Sequence, residues 1–174
     1  MNWYAIFVKT GFEDDVCFYI NKLEIQYYSN LDFKLLVPKR ILYERREGIR
    51  NEVIKVLFPG YILLETNNIN DFYHKTRCCP HIIRFLKDEI SFQQVSASEI
   101  SHILGLADNK GLINISQAIF IEDKIRIMEG PLLNREGIIK KIDKRKGRAK
   151  VEFSINQNTI LIDLGIDVIQ KVEI

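Results

Sequence analysis

The sequence predicts an α+β chain in two parts: an α/β sandwich over roughly the first 105 residues and a small all-β barrel over about the last 55. Three observations predict it. Strand-like apolar runs alternate with helix-period stripes as far as Leu104. Between Leu106 and Ala118 the periodicity fades, and the domain boundary belongs there. Beyond it come five short segments that alternate apolar with polar residues, with short connections between them.

Taken in order, Trp3–Val8 is an apolar and aromatic run closed by Lys9-Thr10-Gly11, which reads as a buried strand. From Phe12 the period changes. Phe12, Val16, Tyr19, Ile20 and Leu23 form a helical stripe, with Glu13, Asp14 and Asp15 at the positive end of the helix dipole. Phe33–Val37, closed by Pro38, is the next strand. Ile41–Val56 is charged, with Gly48 at a hairpin tip. Its Arg45, Arg46 and Arg50 are balanced by Glu44, Glu47 and Glu52, the pattern of a solvated loop, with a binding loop as the alternative. Phe58-Pro59-Gly60-Tyr61 opens the strand Ile62–Glu65. Asn70–Arg77 reads as a short helix capped by Asn68 or Asn70. Ile82–Leu86 is a strand, and Ser98–Leu104 a helix capped by Ser96 or Ser98, with Ile100, Ile103 and Leu104 on one face. The barrel strands are expected at Lys124–Met128, Gly137–Ile142, Ala149–Ser154, Thr159–Leu164 and Val168–Val172. One antiparallel-rich sheet with flanking helices is thus expected over 1–106, a linker over 107–119 and the five-stranded barrel over 120–174.

Charge is local. The chain of 174 residues has a formal net charge of +2. Up to Ala118 the charges cancel. In Lys140–Lys150, seven basic residues (Lys140, Lys141, Lys144, Arg145, Lys146, Arg148, Lys150) surround the single acid Asp143. A basic turn of this kind suits a phosphate backbone, and it equally suits a solvated hairpin tip. Strand alternation divides the seven between two faces, with Lys140 and Lys150 expected opposite Lys141.

Other chemistry is thin. Cys17, Cys78 and Cys79 make neither a disulfide framework nor a zinc site, and fit buried thiols in a reducing compartment. His74, His81 and His102 are scattered and supply no nucleophile pair, so no enzymatic activity, metal or cofactor is expected. No signal segment opens the chain and no apolar run reaches about 18 residues, so no membrane association and a cytoplasmic location are expected.

Three segments together resemble the NusG family of transcription elongation factors, over essentially the whole chain: Trp3-Tyr4 followed by Gly11-Phe12-Glu13; Phe58-Pro59-Gly60-Tyr61; and Asp123–Ile127 with Gly130-Pro131 and Gly137, similar to the core of a KOW motif. The resemblance implies an N-terminal domain that binds RNA polymerase and a C-terminal KOW barrel. It implies an apolar hollow, gripping the clamp helices of the largest polymerase subunit, lined by Phe7, Phe58, Tyr61, Leu63, Ile100, Ile103 and Leu104. The same residues also have the spacing of ordinary core positions. Gly137 is expected where the KOW turn needs close approach or positive φ. Pro131 is expected to fix the loop between the first two barrel strands.

The departures point to a specialised member. Housekeeping relatives carry Phe-Gly-Arg where this chain has Asn156-Gln157-Asn158, and the missing aromatic is their contact to a ribosomal protein and to Rho; neither partnership carries over. Asn134 stands where a glycine is common. The basic turn is similar to that of the LoaP group, which promotes antitermination and recognises a leader RNA hairpin. The resemblance therefore implies a monomeric antitermination factor whose basic residues bind nascent RNA, with Arg145 and Arg148 suited to two-hydrogen-bond readout. Two alternatives stay open: a general NusG-like elongation or pausing factor, and a ribosome-associated KOW protein that binds RNA.

Overall fold

The computed structural model describes residues 1–27, 32–121, 124–155 and 158–169. In chain order the elements are β1 (Asn2–Val8), α1 (Glu13–Tyr27), β2 (Phe33–Leu36), β3 (Lys39–Arg46), β4 (Ile49–Val56), β5 (Tyr61–Thr66), α2 (Ile69–Thr76), β6 (Ile82–Phe85) and β7 (Gln94–Val95). They continue with α3 (Ala97–Leu106), β8 (Leu112–Ile113), β9 (Ser116–Ile121), β10 (Lys124–Glu129), β11 (Ile139–Asp143), β12 (Arg148–Ile155) and β13 (Asn158–Ile169). The fold is α+β, as the alternation predicts. Two compact units emerge: Met1–Val37 with Phe58–Ile100, and Pro38–Leu57 with Ser101–Ile174. None of the described helices is long and apolar enough to cross a membrane.

The first unit is built on an antiparallel sheet in the order β2-β5-β1-β6, with β7 also pairing β1. Alternation sends Tyr4, Ile6 and Val8 to one face, together with Ile62 and Leu64. Val16 and Ile20 of α1 and Phe72 of α2 pack on that face, all at 1% exposure or less. Phe72 sits edge-on to Phe33 and Phe85, with centroids 5.0 and 6.2 Å away. Tyr19, expected on the helical stripe, is instead exposed at 42%. It lies one residue before Ile20, and a turn of 100° per residue carries it off the buried face.

The caps follow from the sequence. Asn68 Oδ1 accepts from Asp71 N at the start of α2. Ser96 caps α3 reciprocally: its hydroxyl accepts from Glu99 N at 3.3 Å, and Glu99 Oε2 accepts from Ser96 N at 3.0 Å.

The second unit carries a five-stranded sheet in the order β10-β9-β13-β12-β11, curled as a half-barrel; only the β9–β13 pair is parallel. Its strands differ from expectation in two respects. Thr159–Leu164 and Val168–Val172 were expected as two strands, yet β13 runs unbroken from Asn158 to Ile169; positions 170–172 lie outside the described residues. Gly165 reads as a break but is buried within the strand. There β13 changes partner, pairing β12 up to Gly165 and β9 from Ile166 onward. The fifth strand is β9, which overlaps the stretch 107–119 expected as a linker, and β8 also falls in that stretch.

The charged stretch expected as a solvated loop is a regular hairpin, β3–β4, turned through Glu47 and Gly48, both at positive φ (52° and 81°). It belongs to the second unit, where β3 pairs in parallel with β8.

Candidate functional site

Two surfaces gather the residues singled out by the sequence. On the first unit, β1 and β5 turn Phe7, Tyr61 and Leu63 to the sheet face opposite α1 and α2. Phe7 and Tyr61 are register partners whose rings tilt against each other at 5.2 Å. The Arg84 guanidinium lies 5.8 Å from the Phe7 ring centre.

The loop before Tyr61 is held by a device the sequence reading missed. Glu13, assigned above to the helix dipole, is only 3% exposed. Its carboxylate accepts from Gly60 N at 2.6 Å and from Gly11 N at 2.9 Å. Gly60 itself sits at φ +86°, and a Cβ there would meet the Phe7 ring at 3.2 Å. Only glycine lets the loop reach this close. Phe58 is half-buried, and its carbonyl accepts from Tyr61 N at 3.1 Å.

Of the seven residues expected at a polymerase interface, Leu104 alone is exposed, at 40%. Phe7, Phe58 and Tyr61 are half-buried, while Leu63, Ile100 and Ile103 have the burial of core positions.

On the second unit, the basic run forms β11, a turn and β12. Asp143 opens the turn by accepting from Lys146 N at 2.9 Å, and Gly147 closes it at φ +63°. The division of charges expected from alternation is corrected. A bulge between Ile139 and Lys141 shifts the register, so Lys141 and Lys150 are direct partners and share a face. Several of the seven are already neutralised: Lys140 pairs with Glu152 at 3.1 Å, and Asp163 holds both Lys150 at 3.1 Å and Arg148 at 3.4 Å. Burial alone would raise the Asp163 pKa, but the hydrogen bonds and charges of Lys150 and Arg148 outweigh it and hold the carboxyl below its usual range. Arg148, expected to read RNA, is thus committed to the barrel. Arg145 and Lys146 have no carboxylate partner among the described residues.

The expected role of Gly137 is also corrected. It is exposed, with open space where a Cβ would project, and its φ is not positive. The tight position is Gly130, at φ +98°, where a Cβ would meet Ser116 Cα at 2.7 Å. Asn134 does occupy positive φ (59°), the conformation a glycine would take at that place. Asp123, Asn156 and Gln157 lie outside the described residues.

Hairpin β3–β4 is seated on the half-barrel by close approach. Arg40 Nη1 donates to Asp163 O at 2.6 Å, and Arg50 pairs with Asp167 at 3.1 Å while lying 3.4 Å over the Tyr43 ring. Burial lowers the Arg40 pKa. Two glycines make room: a Cβ on Gly147 would meet Arg50 Nη2 at 2.8 Å and Tyr43 at 3.0 Å, and one on Gly165 would collide with the Ile41 carbonyl. Between the hairpin tip and the β11–β12 turn lies a cleft of about 690 Å³ whose walls include Arg45, Arg46, Arg50, Arg145, Lys146 and Arg148.

The remaining candidates stay apart. His74, His81 and His102 are all exposed. Cys79 is buried beside exposed Cys78, and burial pushes its thiol up to about 11. Among the described residues no group of three or more His, Cys, Asp or Glu is placed to hold a metal ion.

Matches to known proteins span both units. The family model described as "Transcription termination factor nusG" matches residues 1–104. The transcription termination/antitermination protein NusG of Thermus thermophilus is 27% identical over 182 residues, covering 98% of both chains. That of Escherichia coli K12 is 23% identical over 172 residues, covering 97% of this chain and 95% of its own. A solved structure described as "Domain interaction in Thermotoga maritima NusG" is 21% identical, with a TM-score of 0.53 over 94% of this chain and 93% of its own, a likeness of fold.

Proposed function

This chain belongs to the NusG family, and on that premise we propose that it is a non-enzymatic transcription factor that binds RNA polymerase and promotes processive elongation or antitermination at selected operons. In this proposal the sheet and helices of the first unit carry the polymerase contact, and the half-barrel, with β9 as one of its strands, holds nascent leader RNA through its basic turn. The protein works in the cytoplasm as a monomer.

The observation that carries most weight is the Phe7–Tyr61 pair. Aromatic rings on the sheet face away from the helices, locked in place by Glu13 and Gly60, are what a protein interface uses as anchors. Leu63, Ile100 and Ile103 are buried in this conformation. A grip on the polymerase clamp helices that uses them requires their exposure on binding, so part of the binding energy goes into that rearrangement. Such a ligand favours the elongating enzyme only through its higher affinity for that state over the paused one, and about 1.4 kcal/mol of difference shifts the balance tenfold. For RNA, the unpaired Arg145 and Lys146 support a phosphate contact at the turn.

Run-off transcription across a terminator tests the proposal, with the full chain and with or without a candidate leader hairpin upstream. Read-through should rise with the protein and fall back with Tyr61→Ala. Read-through that ignores the protein on every template would remove the antitermination reading.

A further inference from the structure

We propose that the cleft between the β3–β4 tip and the β11–β12 turn is a composite RNA site, in which Arg45 and Arg46 of one hairpin and Arg145 and Lys146 of the other grip neighbouring phosphates of one strand. It rests on the RNA-binding reading above and adds a second wall that the barrel turn alone lacks.

The charge accounting favours an anionic occupant. Six cations line the cleft beside only two carboxylates, Glu44 and Asp143. Glu44 is neutralised by Lys55 at 3.2 Å, while Asp143 accepts from the backbone of Lys146 and keeps its single negative charge. Arg50 and Arg148 have their own partners in Asp167 and Asp163. Four cations remain, two from each hairpin, with no carboxylate partner among the described residues.

Their placement is unfavourable without a ligand. Arg45 stands directly opposite Arg50 in the hairpin register, and like charges at such a pair are destabilising. At both such pairs in this unit one member is answered by an acid, Lys150 by Asp163 opposite Lys141 and Arg50 by Asp167 opposite Arg45. Arg45 is left facing the cleft with no carboxylate partner among the described residues. A phosphate chain would relieve both the cross-strand repulsion and the repulsion between the two tips.

The walls are also held in fixed relation. The glycine seats at Gly147 and Gly165 and the Arg40–Asp163 bond keep the hairpin against the barrel, so little ordering is required when a strand enters. The cleft, about 690 Å³ and bordered by two hairpins, has more room than one small anion fills, and so suits a chain of phosphates.

The test uses the full chain and two fluorescent probes, a 20-nucleotide stem-loop RNA and a 20-nucleotide polyuridylate, with affinity measured as a function of salt. Removing two phosphate contacts should flatten the log–log salt slope by about 1.4–1.8, at roughly 0.7–0.9 per contact. R45Q/R46Q and R145Q/K146Q should each show this shift on at least one probe, and the quadruple variant about twice as much. R45K/R46K should keep the parental slope, because a point charge suffices for a phosphate.

An unchanged slope in R45Q/R46Q beside a reduced one in R145Q/K146Q would overturn the composite site and leave RNA binding by the barrel intact. An unchanged slope in both would remove the RNA-binding reading itself. A loss in R45K/R46K equal to that in R45Q/R46Q would show that the effect is not charge. Duplex DNA bound as tightly, with the same dependence on Arg45 and Arg46, would overturn RNA as the occupant.

Discussion

The two surfaces solve opposite problems. The aromatic face of the first unit is apolar and is kept at least half out of water, whereas Arg45, Arg46, Arg145 and Lys146 of the second unit stand exposed in it. An apolar anchor left bare invites non-specific association. A cation left bare costs little, because water solvates it. The lesson is that apolar binding groups must share their burial with the core, so burial cannot separate the two roles. Among charged groups the separation is visible: those with an acid partner belong to the scaffold, and those without one are available.

The sharpest break of this comparison lies within one sheet. Phe72→Ala, on the helix-covered face, should destabilise the protein by about 3–5 kcal/mol, read by chemical denaturation. Glu13→Ala should cost about 1–3 kcal/mol, because two loop N–H groups lose their acceptor. Glu13→Gln, which keeps one acceptor oxygen, should fall between it and the parent.

Tyr61→Ala sharpens the comparison from the binding side. It should weaken affinity for core RNA polymerase by about 1–2 kcal/mol with the fold retained. Unaltered affinity in a folded variant would make Tyr61 a packing residue only.

The paired charges give smaller effects. The Asp163 pKa is lowered in the folded state, so its contribution is present above the unfolded carboxylate range near 3.9 and is lost as pH falls through the folded value. The parent should therefore lose stability below about pH 4, and Asp163→Asn should flatten that acid limb. Lys140→Gln should change stability by no more than about 0.5 kcal/mol, since its partner Glu152 is as exposed as most surface pairs. It should also leave the RNA salt slope nearly unchanged, in contrast with Arg145 and Lys146.

Legibility in the sequence followed the physics of each signal. Period-two and helical stripes located nearly all of the first unit, and the Ser96 and Asn68 caps were readable as side-chain chemistry. The tip of the β3–β4 hairpin was readable at Gly48, but its strands were read as solvated loop because balanced charges conceal where each partner sits: Lys55 answers Glu44 within the hairpin, but Arg50 is answered by Asp167, 117 residues away. The expected gap after Leu164 proved to be continuous strand, because a glycine that ends a strand and one, like Gly165, that admits a neighbouring backbone are the same letter. Glu13 looked like a dipole partner because nothing local announces that Gly60 will arrive beside it. The seven basic residues were plain to see, but their sorting into paired and unpaired depended on Glu152 and Asp163, which come from other strands.

The seating of β3–β4 has a consequence for how the polypeptide emerges from the ribosome. Its bed includes Gly147 and Gly165, which are translated long after Leu57. At about 5–20 residues per second the nascent hairpin waits roughly 5–20 s before its bed exists. During that interval its apolar underside has nothing to lie on. Completion of the first unit, itself split in sequence by this insertion, must therefore tolerate an unfinished flap, and the last strand to be synthesised is the one that closes it.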